Sequence, residues 1–369
     1  MKFLRLAFYV LIAQLVLSGC AGEAVEEISS SSSSEINFDA YVGRNASTRL
    51  GINDLDSLQS NNRWNSGFGV FARYNNIHLM DDEHVFWQGD HWGYEHTRYW
   101  PSEGSVDFYA FAPWIPSLNL VNKPESNEAN PTYIDFPSTK SPVDLLWAKA
   151  ENQTKDNISS TGNKVKFQFE HATARLGLDI TANKKLEKNG AVITVEEVNL
   201  FGHGKDDYVG VFDMEGFLNL KKGEWYVVPN KDTRWYYAWT PTGNVGKDDD
   251  EKYDPSKGTV LKLSASQLDY TTPIITNDKD SYIFIVPQTK NEPFYLKITY
   301  TVKQGDFEEK VTVRKNLLDV LQPGVSNPSF TFVGGKAYVF HLKLLDPINF
   351  SVTADVKDWN VGKDETISL

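Results

Sequence analysis

Four of the seven histidines lie close together in the sequence, at His78, His84, His91 and His96, with several aspartate and glutamate residues between them. Imidazole and carboxylate groups together are common ligands of zinc. However, no two of these histidines are two or four residues apart, as two ligands on one face of a strand or helix would be. The segment also has the polar composition of a loop. The sequence therefore predicts no metal site, and nothing in it calls for a cofactor.

Sequence motifs for catalysis are equally missing. The chain contains no nucleophile elbow, no HExxH, no phosphate-binding loop and no GxGxxG turn after a strand. Acidic residues are plentiful, so spacing alone does not single out a glycosidase pair. We assign no catalytic residues and expect a protein that is not an enzyme. A hydrolase whose carboxylates converge only in the folded chain is left as a third alternative.

The residues around the single cysteine, Cys20, predict how it is modified. Residues 1–19 join a short basic start to an apolar stretch, which is shorter than the ~20 residues that a membrane-spanning helix needs. They are typical of a signal peptide. The Leu-Ser-Gly before Cys20 resembles a bacterial lipobox, which predicts cleavage before Cys20 and its acylation. Ala21 in the next position favours sorting to the outer membrane.

The remaining chain divides by composition. Residues 20–35 contain four glutamates and six consecutive serines, so we expect a flexible tether. The rest is long enough for two domains, which we predict at 36–185 and 186–369. The formal net charge is −12 and no cluster of basic residues is present, so a nucleic-acid partner is not expected.

Alternating apolar and polar residues, with many aromatic and β-branched side chains, predict an all-β protein. The first strand predicted after the tether, INFDAYV, and a segment near the end, INFSVTADV, share this pattern. The apolar positions of the first are Ile36, Phe38, Ala40 and Val42. Those of the second include Ile348, Phe350 and Val352. Both segments are explained if they are ordinary strands of a β-sandwich. An apolar strand at each end of the chain is also what strand exchange between subunits requires.

Clustered aromatic residues suggest an alternative function. The first group is Trp87, Trp92, Tyr94, Tyr99, Trp100 and Trp114, and the second is Trp235, Tyr236, Tyr237 and Trp239. Exposed rings of this kind stack on sugars, so a monomeric surface lipoprotein that binds glycans is the alternative to a structural role. Packing within a sandwich core explains the same residues more simply.

Several segments in a fixed order resemble one family. After the lipobox and the serine-rich tether come INFDAYVGRNASTR, GFGVFARY, RYWPSEGSVDFYAFAPW, SPVDLLWA, FQFEHATARLGLDI and finally VTADVKDWNVG. This order is similar to that of the fimbrillin family of Bacteroidales, the type V pilins with their anchoring and tip relatives. The resemblance implies two β-sandwich domains of transthyretin-like topology. It also implies export as an outer-membrane lipoprotein, a surface-exposed place in a fimbrium, other pilus subunits as partners, and adhesion to a host or bacterial surface.

The resemblance also assigns roles to residues. In polymerising members a protease, often specific for arginine, removes the first strand, and a neighbour's strand fills the groove. Here the removed strand is Ile36–Val42, cleavage follows Arg44 or Arg49, and Ile348–Val356 is the donor. The terminal ETISL makes the donor ambiguous, and an anchor subunit would retain its first strand and lipid. Ser57, in Asp-Ser-Leu, matches a short pattern for bacterial O-glycosylation.

Overall fold

The structure is a computed structural model that describes the following residues: 34–42, 58–59, 66–75, 77–116, 118–121, 132–136, 143–188, 190–204, 209–230, 232, 234–244, 258–263, 266–268, 274–275, 283–346, 349–358 and 366–368. Among them the chain is nearly all β, which confirms the predicted fold class. No helix in this part of the chain is long and apolar enough to cross a membrane. The transthyretin-like topology stays a prediction.

The strands, in chain order, are β1 Phe38–Val42, β2 Phe68–Tyr74, β3 Ile77–Trp87, β4 Trp92–Gly93, β5 Val106–Ala112, β6 Leu120–Val121, β7 Tyr133–Phe136, β8 Leu146–Gln153, β9 Val165–His171, β10 Ala174–Ala182, β11 Val192–Gly202, β12 Gly216–Asn219, β13 Glu224–Val227, β14 Tyr236–Thr240, β15 Gly258–Lys262, β16 Ile274–Ile275, β17 Ile283–Ile285, β18 Gln288–Lys290, β19 Phe294–Gln304, β20 Phe307–Asn316, β21 Phe330–Phe332, β22 Lys336–Asp346, β23 Asn349–Asp358 and β24 Thr366–Ser368. The helical elements are a 3-10 helix, Asn157–Thr161, and the short helices α1, Lys184–Lys188, and α2, Leu317–Leu321.

The N-terminal half of the chain forms a seven-stranded sheet in the order β1-β9-β8-β5-β2-β3-β4. β1 runs parallel to β9, and the other neighbours are antiparallel. In a flat sheet β1 and β2, four places apart, would be separated by about 19 Å. The ring centroids of Phe38 on β1 and Phe68 on β2 are instead 6.4 Å apart. The sheet is therefore curled around its own core.

A second, four-stranded sheet covers the outer face of the curled sheet. Its order is β13-β12-β7-β6, and its side chains Ile134 and Leu218 pack with Phe71, Tyr109 and Phe111 of the first sheet. Strand β2 is consequently buried on both faces. This explains why GFGVFARY is a nearly continuous apolar run, since a strand covered on both sides needs no polar face.

The C-terminal half contains two sheets that pack face to face. One has the order β16-β10-β22-β23-β24, with β17 also paired to β10, and the other has the order β15-β14-β11-β19-β20. Inward side chains of both sheets form a single hydrophobic cluster, to which Leu178, Val198, Trp239, Ile298 and Phe340 belong. Face-to-face packing of this kind removes the apolar faces of both sheets from water.

Strand β10 joins the second half of the chain although it precedes the predicted division between residues 185 and 186. It pairs in parallel with β22 along eight residues, and its apolar side chains lie in the C-terminal cluster. In VKFQFEHATARLGLDI the apolar alternation changes phase near His171, which in the sequence alone predicts a bulge or bend. The structure shows instead that the chain crosses here from β9 in one sheet to β10 in another. The division into domains at 185/186 stays a prediction.

Trp239→Ala tests the burial of the second aromatic group. Trp239 has 0% of its surface exposed, so we expect the variant to lose ~3–5 kcal/mol of unfolding free energy in urea denaturation. The matched control is Phe307→Ala, because Phe307 is 57% exposed, and its effect should stay within ~0.5 kcal/mol. Equal losses in the two variants would contradict the assignment of Trp239 to the core.

Candidate strand-exchange site

Strand β1 directs every second side chain into the curled sheet. The buried side chains are Ile36, Phe38, Ala40 and Val42, which confirms the alternation predicted from the sequence. Between them, Asp39 is partly exposed and Tyr41 is 48% exposed. One face of this five-residue strand therefore belongs to the core and the other faces water.

The ring of Phe38 is the centre of this packing. It lies 5.8 Å from the ring of Phe108 and stacks on the ring of Phe167 at 5.7 Å, in addition to its edge contact with Phe68. The ring of Tyr94 lies on the fourth side, with its centroid 5.6 Å from that of Phe38. These partners come from β2, β5, β9 and the segment after β4. Phe38 thus links four parts of the chain that are far apart in sequence.

Backbone hydrogen bonds hold both sides of the segment. On one side β1 pairs with β9 from Phe38 to Val42. On the other side the residues just before β1 meet those that follow β4: Ile36 N donates to Arg98 O at 2.8 Å, and Trp100 N donates to Ser34 O at 3.2 Å. This second contact was not predicted, because the segment RYWP carries no marker of its partner.

The arrangement defines what loss of β1 would expose. Without residues 34–42, the edge of β9 would lose its partner and the rings of Phe68, Phe108 and Phe167 would face water. An unpaired edge beside an apolar trough is a strong template for another strand. The chemistry available at this site is therefore non-covalent: completion of a sheet and burial of apolar side chains.

The predicted donor segment lies inside its own sheet. β23 pairs with β22 over almost its whole length and with β24 on the other side. Phe350 and Ala354 are buried in the C-terminal cluster, and Val352 packs against it. The terminal ETISL, which made the donor ambiguous, includes β24 at the edge of this sheet.

His341 ties three strands of this sheet together on the face opposite the cluster. Its Nδ1 lies 2.7 Å from Asp179 Oδ2 on β10, and its Nε2 lies 3.3 Å from Asp355 Oδ2 on β23. Burial raises the pKa of Asp179, and the neighbouring His341 opposes that shift. β23 is consequently held by side chains as well as by its ladder.

The four clustered histidines contact different partners. His78 Nδ1 is 3.1 Å from Asp81 and His96 Nδ1 is 3.1 Å from Glu83, whereas His84 stacks on Trp114 with ring centroids 3.8 Å apart. Burial lowers the pKa of His84. In the part of the chain that the structure describes, no group of three or more histidine, cysteine or acidic residues is placed to hold a metal ion.

The loop predicted around these histidines is wrong. Residues 77–87 form β3, which pairs with β2 near the end of the sheet. Met80 and Val85 point inward, whereas Ile77, His78 and Asp81 are exposed. A polar strand near a sheet edge has the composition of a loop, because little of its surface is buried.

Most of the aromatic residues that suggested glycan binding are in the core. The buried ones are Trp92, Trp100, Trp235, Tyr236, Tyr237 and Trp239. The partly exposed ones are Trp87, Tyr94 and Trp114, and Tyr99 is exposed. The second group therefore cannot present rings to a sugar in this structure.

Five residues singled out in the sequence lie outside the described residues. They are Cys20, Arg44, Arg49, Ser57 and Ile348. Their roles in lipidation, processing, glycosylation and strand exchange stay predictions.

Comparison with known proteins gives a consistent result. The model of the fimbrillin-like family matches residues 58–359. The fimbrium subunit Fim1C of Phocaeicola vulgatus is 22% identical over 403 aligned positions, which cover 98% of each chain. The crystal structure of a fimbrial protein from Bacteroides vulgatus matches with a TM-score of 0.56 and 17% identity, over 88% of this chain and 99% of that one.

The first of these relatives is a fimbrium subunit and the second a fimbrial protein. The family match extends from the residue after Ser57 to the end of β23, so it includes both halves of the fold. The chain belongs to the fimbrillin-like family of fimbrial proteins.

Proposed function

We propose that this protein is a fimbrial subunit that assembles with other pilus subunits by exchange of β1. The observation that carries the proposal is the position of β1: a short strand that begins the described chain, sits at one end of a sheet and buries one complete face. A sheet-end strand at a chain end can leave without breaking the order of the other strands. In the interior of the sheet this would be impossible.

The route to the surface that we propose begins with export as a lipoprotein. The signal peptide is removed before Cys20, which is acylated. The tether predicted at residues 20–35 separates the folded part from the outer membrane, except that its last two residues, Ser34 and Glu35, pair with the segment after β4. A protease then cuts after Arg44 or Arg49, and β1 leaves together with the lipid. In the fimbrium the protein contributes to adhesion to a host or bacterial surface, and Ser57 is a candidate for O-glycosylation.

Two segments are candidates for the incoming strand. The first is Ile348–Val356, most of which is β23 here, so donation would remove Phe350 from its own core and break the ladder with β22. The second is the terminal segment that contains β24. Deletion of residues 348–369 would damage the fold and remove the donor at once, so a reversible test is needed.

Phe38→Ala tests how tightly β1 is held. Loss of the ring should weaken β1 by ~3–5 kcal/mol, because the four surrounding rings would border a cavity. We expect faster hydrogen exchange at the amides of β1 and β9. Tyr41→Ala, on the same strand but facing water, should change exchange by no more than ~0.5 kcal/mol. Unchanged protection of β1 in Phe38→Ala would show that Phe38 does not hold the strand.

Processing is tested by intact mass and N-terminal sequencing of the protein recovered from its native cell surface. A polymerising subunit should begin at Asn45 or Leu50 and carry no lipid. Arg44→Ala combined with Arg49→Ala should then leave an acylated chain that begins at Cys20 and forms no fibres, whereas Arg63→Ala should be processed normally. If the natural protein itself begins at acylated Cys20, processing is ruled out, and the protein is either an anchor subunit or the surface lipoprotein that binds glycans.

A disulfide between β22 and β23 tests the donor. Lys343 and Ser351 are directly paired on these strands, and both are at least partly exposed. The double variant Lys343→Cys, Ser351→Cys should form fibres when reduced and none when oxidised, if β23 must leave its sheet. The single variant Ser351→Cys should be indifferent to oxidation. Fibres from the oxidised double variant would exclude β23 and favour the segment that contains β24.

A further inference from the structure

Three polar residues are buried side by side on the sheet that contains β11 and β19. Glu197 is 8% exposed, Asn199 is 0% exposed and Lys297 is 7% exposed. Their neighbours Val198, Leu200 and Ile298 point into the C-terminal cluster, so these three lie on the opposite face of the sheet. A buried lysine, amide and carboxylate in one place is costly unless they interact.

The register of the two strands brings them together. Asn199 on β11 is directly opposite Lys297 on β19, so their Cβ atoms are about 4.5–5.5 Å apart. Glu197 is two residues before Asn199, on the same face. The Nδ2 of Asn199 donates to Glu197 Oε1 at 2.5 Å. The carboxamide of Asn199 therefore contacts the carboxylate along β11 and lies across from Lys297 on β19.

The surrounding contacts show which nearby groups are already engaged elsewhere. Oδ1 of Asn199 is buried and has no hydrogen-bond partner among the residues that the structure describes. The nearest cation on the next strand, Arg314, lies over the ring of Tyr295 at 4.9 Å. A bulge after Val195 separates the two adjacent glutamates, and Glu196 pairs with Lys310 at 3.0 Å. Glu197 is thus the carboxylate that contacts Asn199.

We propose that Lys297 and Asn199 form an intramolecular isopeptide bond, with Glu197 as the proton carrier. Glu197 takes a proton from the lysine ammonium, and the resulting amine attacks Cγ of Asn199. A bond forms between Nζ and Cγ, and the bond between Cγ and Nδ2 breaks. The leaving nitrogen takes the second proton of Nζ and the proton held by Glu197, and departs as ammonium. Glu197 ends ionised, and no oxidant or co-reactant is needed.

The bond would connect the middle strands β11 and β19 of the sheet covalently. These strands are separated by about a hundred residues of sequence, and they are otherwise joined by non-covalent contacts, namely ladder hydrogen bonds and side-chain packing. The inference concerns the folded chain itself, so it stands whether or not β1 is exchanged.

The test is the intact mass of the folded chain, purified from residue 21 onward. We expect a mass about 17 Da below that of the sequence, which corresponds to one lost ammonia. Lys297→Arg, Asn199→Ala and Glu197→Gln should each have the full mass of their sequences. Lys303→Arg, an exposed lysine on the same strand, should keep the deficit. Peptide mapping should find the peptides around Asn199 and Lys297 joined.

The intact mass of the wild-type chain tests the proposal even if a variant does not fold. A wild-type protein of full mass would overturn the proposal. So would a deficit that persists in Lys297→Arg, because loss of ammonia from an asparagine without a lysine partner indicates a succinimide. A mass deficit without joined peptides would also indicate a succinimide and would overturn the proposal.

Discussion

Burial of the Phe38 ring closes the N-terminal sheet of this protein. The ring fills the space between Phe68, Phe108 and Phe167, on three strands of a curled seven-stranded sheet, and Tyr94, in the segment that follows its last strand β4. The strand that carries it adds ladder hydrogen bonds to β9 and, through the residues before it, to Arg98 and Trp100. Aromatic burial of this size is worth several kcal/mol, which is a large fraction of the net stability of a domain. Whether β1 is present therefore decides whether the sheet is closed and whether the edge of β9 is paired.

The C-terminal half is held together in a different way from the N-terminal half. Its two sheets meet face to face over a continuous cluster, and its last long strand, β23, is secured by Phe350 inside and by His341 and Asp355 outside. The two halves are also joined: β12, from the second half of the chain, pairs with β7 from the first, and Trp225 donates to Ala172 O at 2.7 Å. The exchange proposed for β1 would therefore be confined to one sheet and would leave the C-terminal cluster intact.

Sequence reasoning was successful where burial follows a local period. Alternation in INFDAYV predicted which side chains of β1 are inside, and the abundance of aromatic and β-branched residues predicted the all-β class. It was less successful where a strand is polar or changes sheet. β3 has the composition of a loop, and the crossover between β9 and β10 has the appearance of a bulge. In both cases the decisive fact is which strand lies alongside, and composition does not contain that information.

The sequence by itself determined the chain's family resemblance, its all-β class and the inward face of its first strand, because these depend on residues that are neighbours along the chain. Only the tertiary structure decided the partners. It placed Arg98 beside Ile36, put Phe350 in the core of its own sheet and set Lys297 opposite Asn199. The physical reason is that a period of two residues fixes which way a side chain points, whereas the register between strands far apart in sequence fixes what it meets.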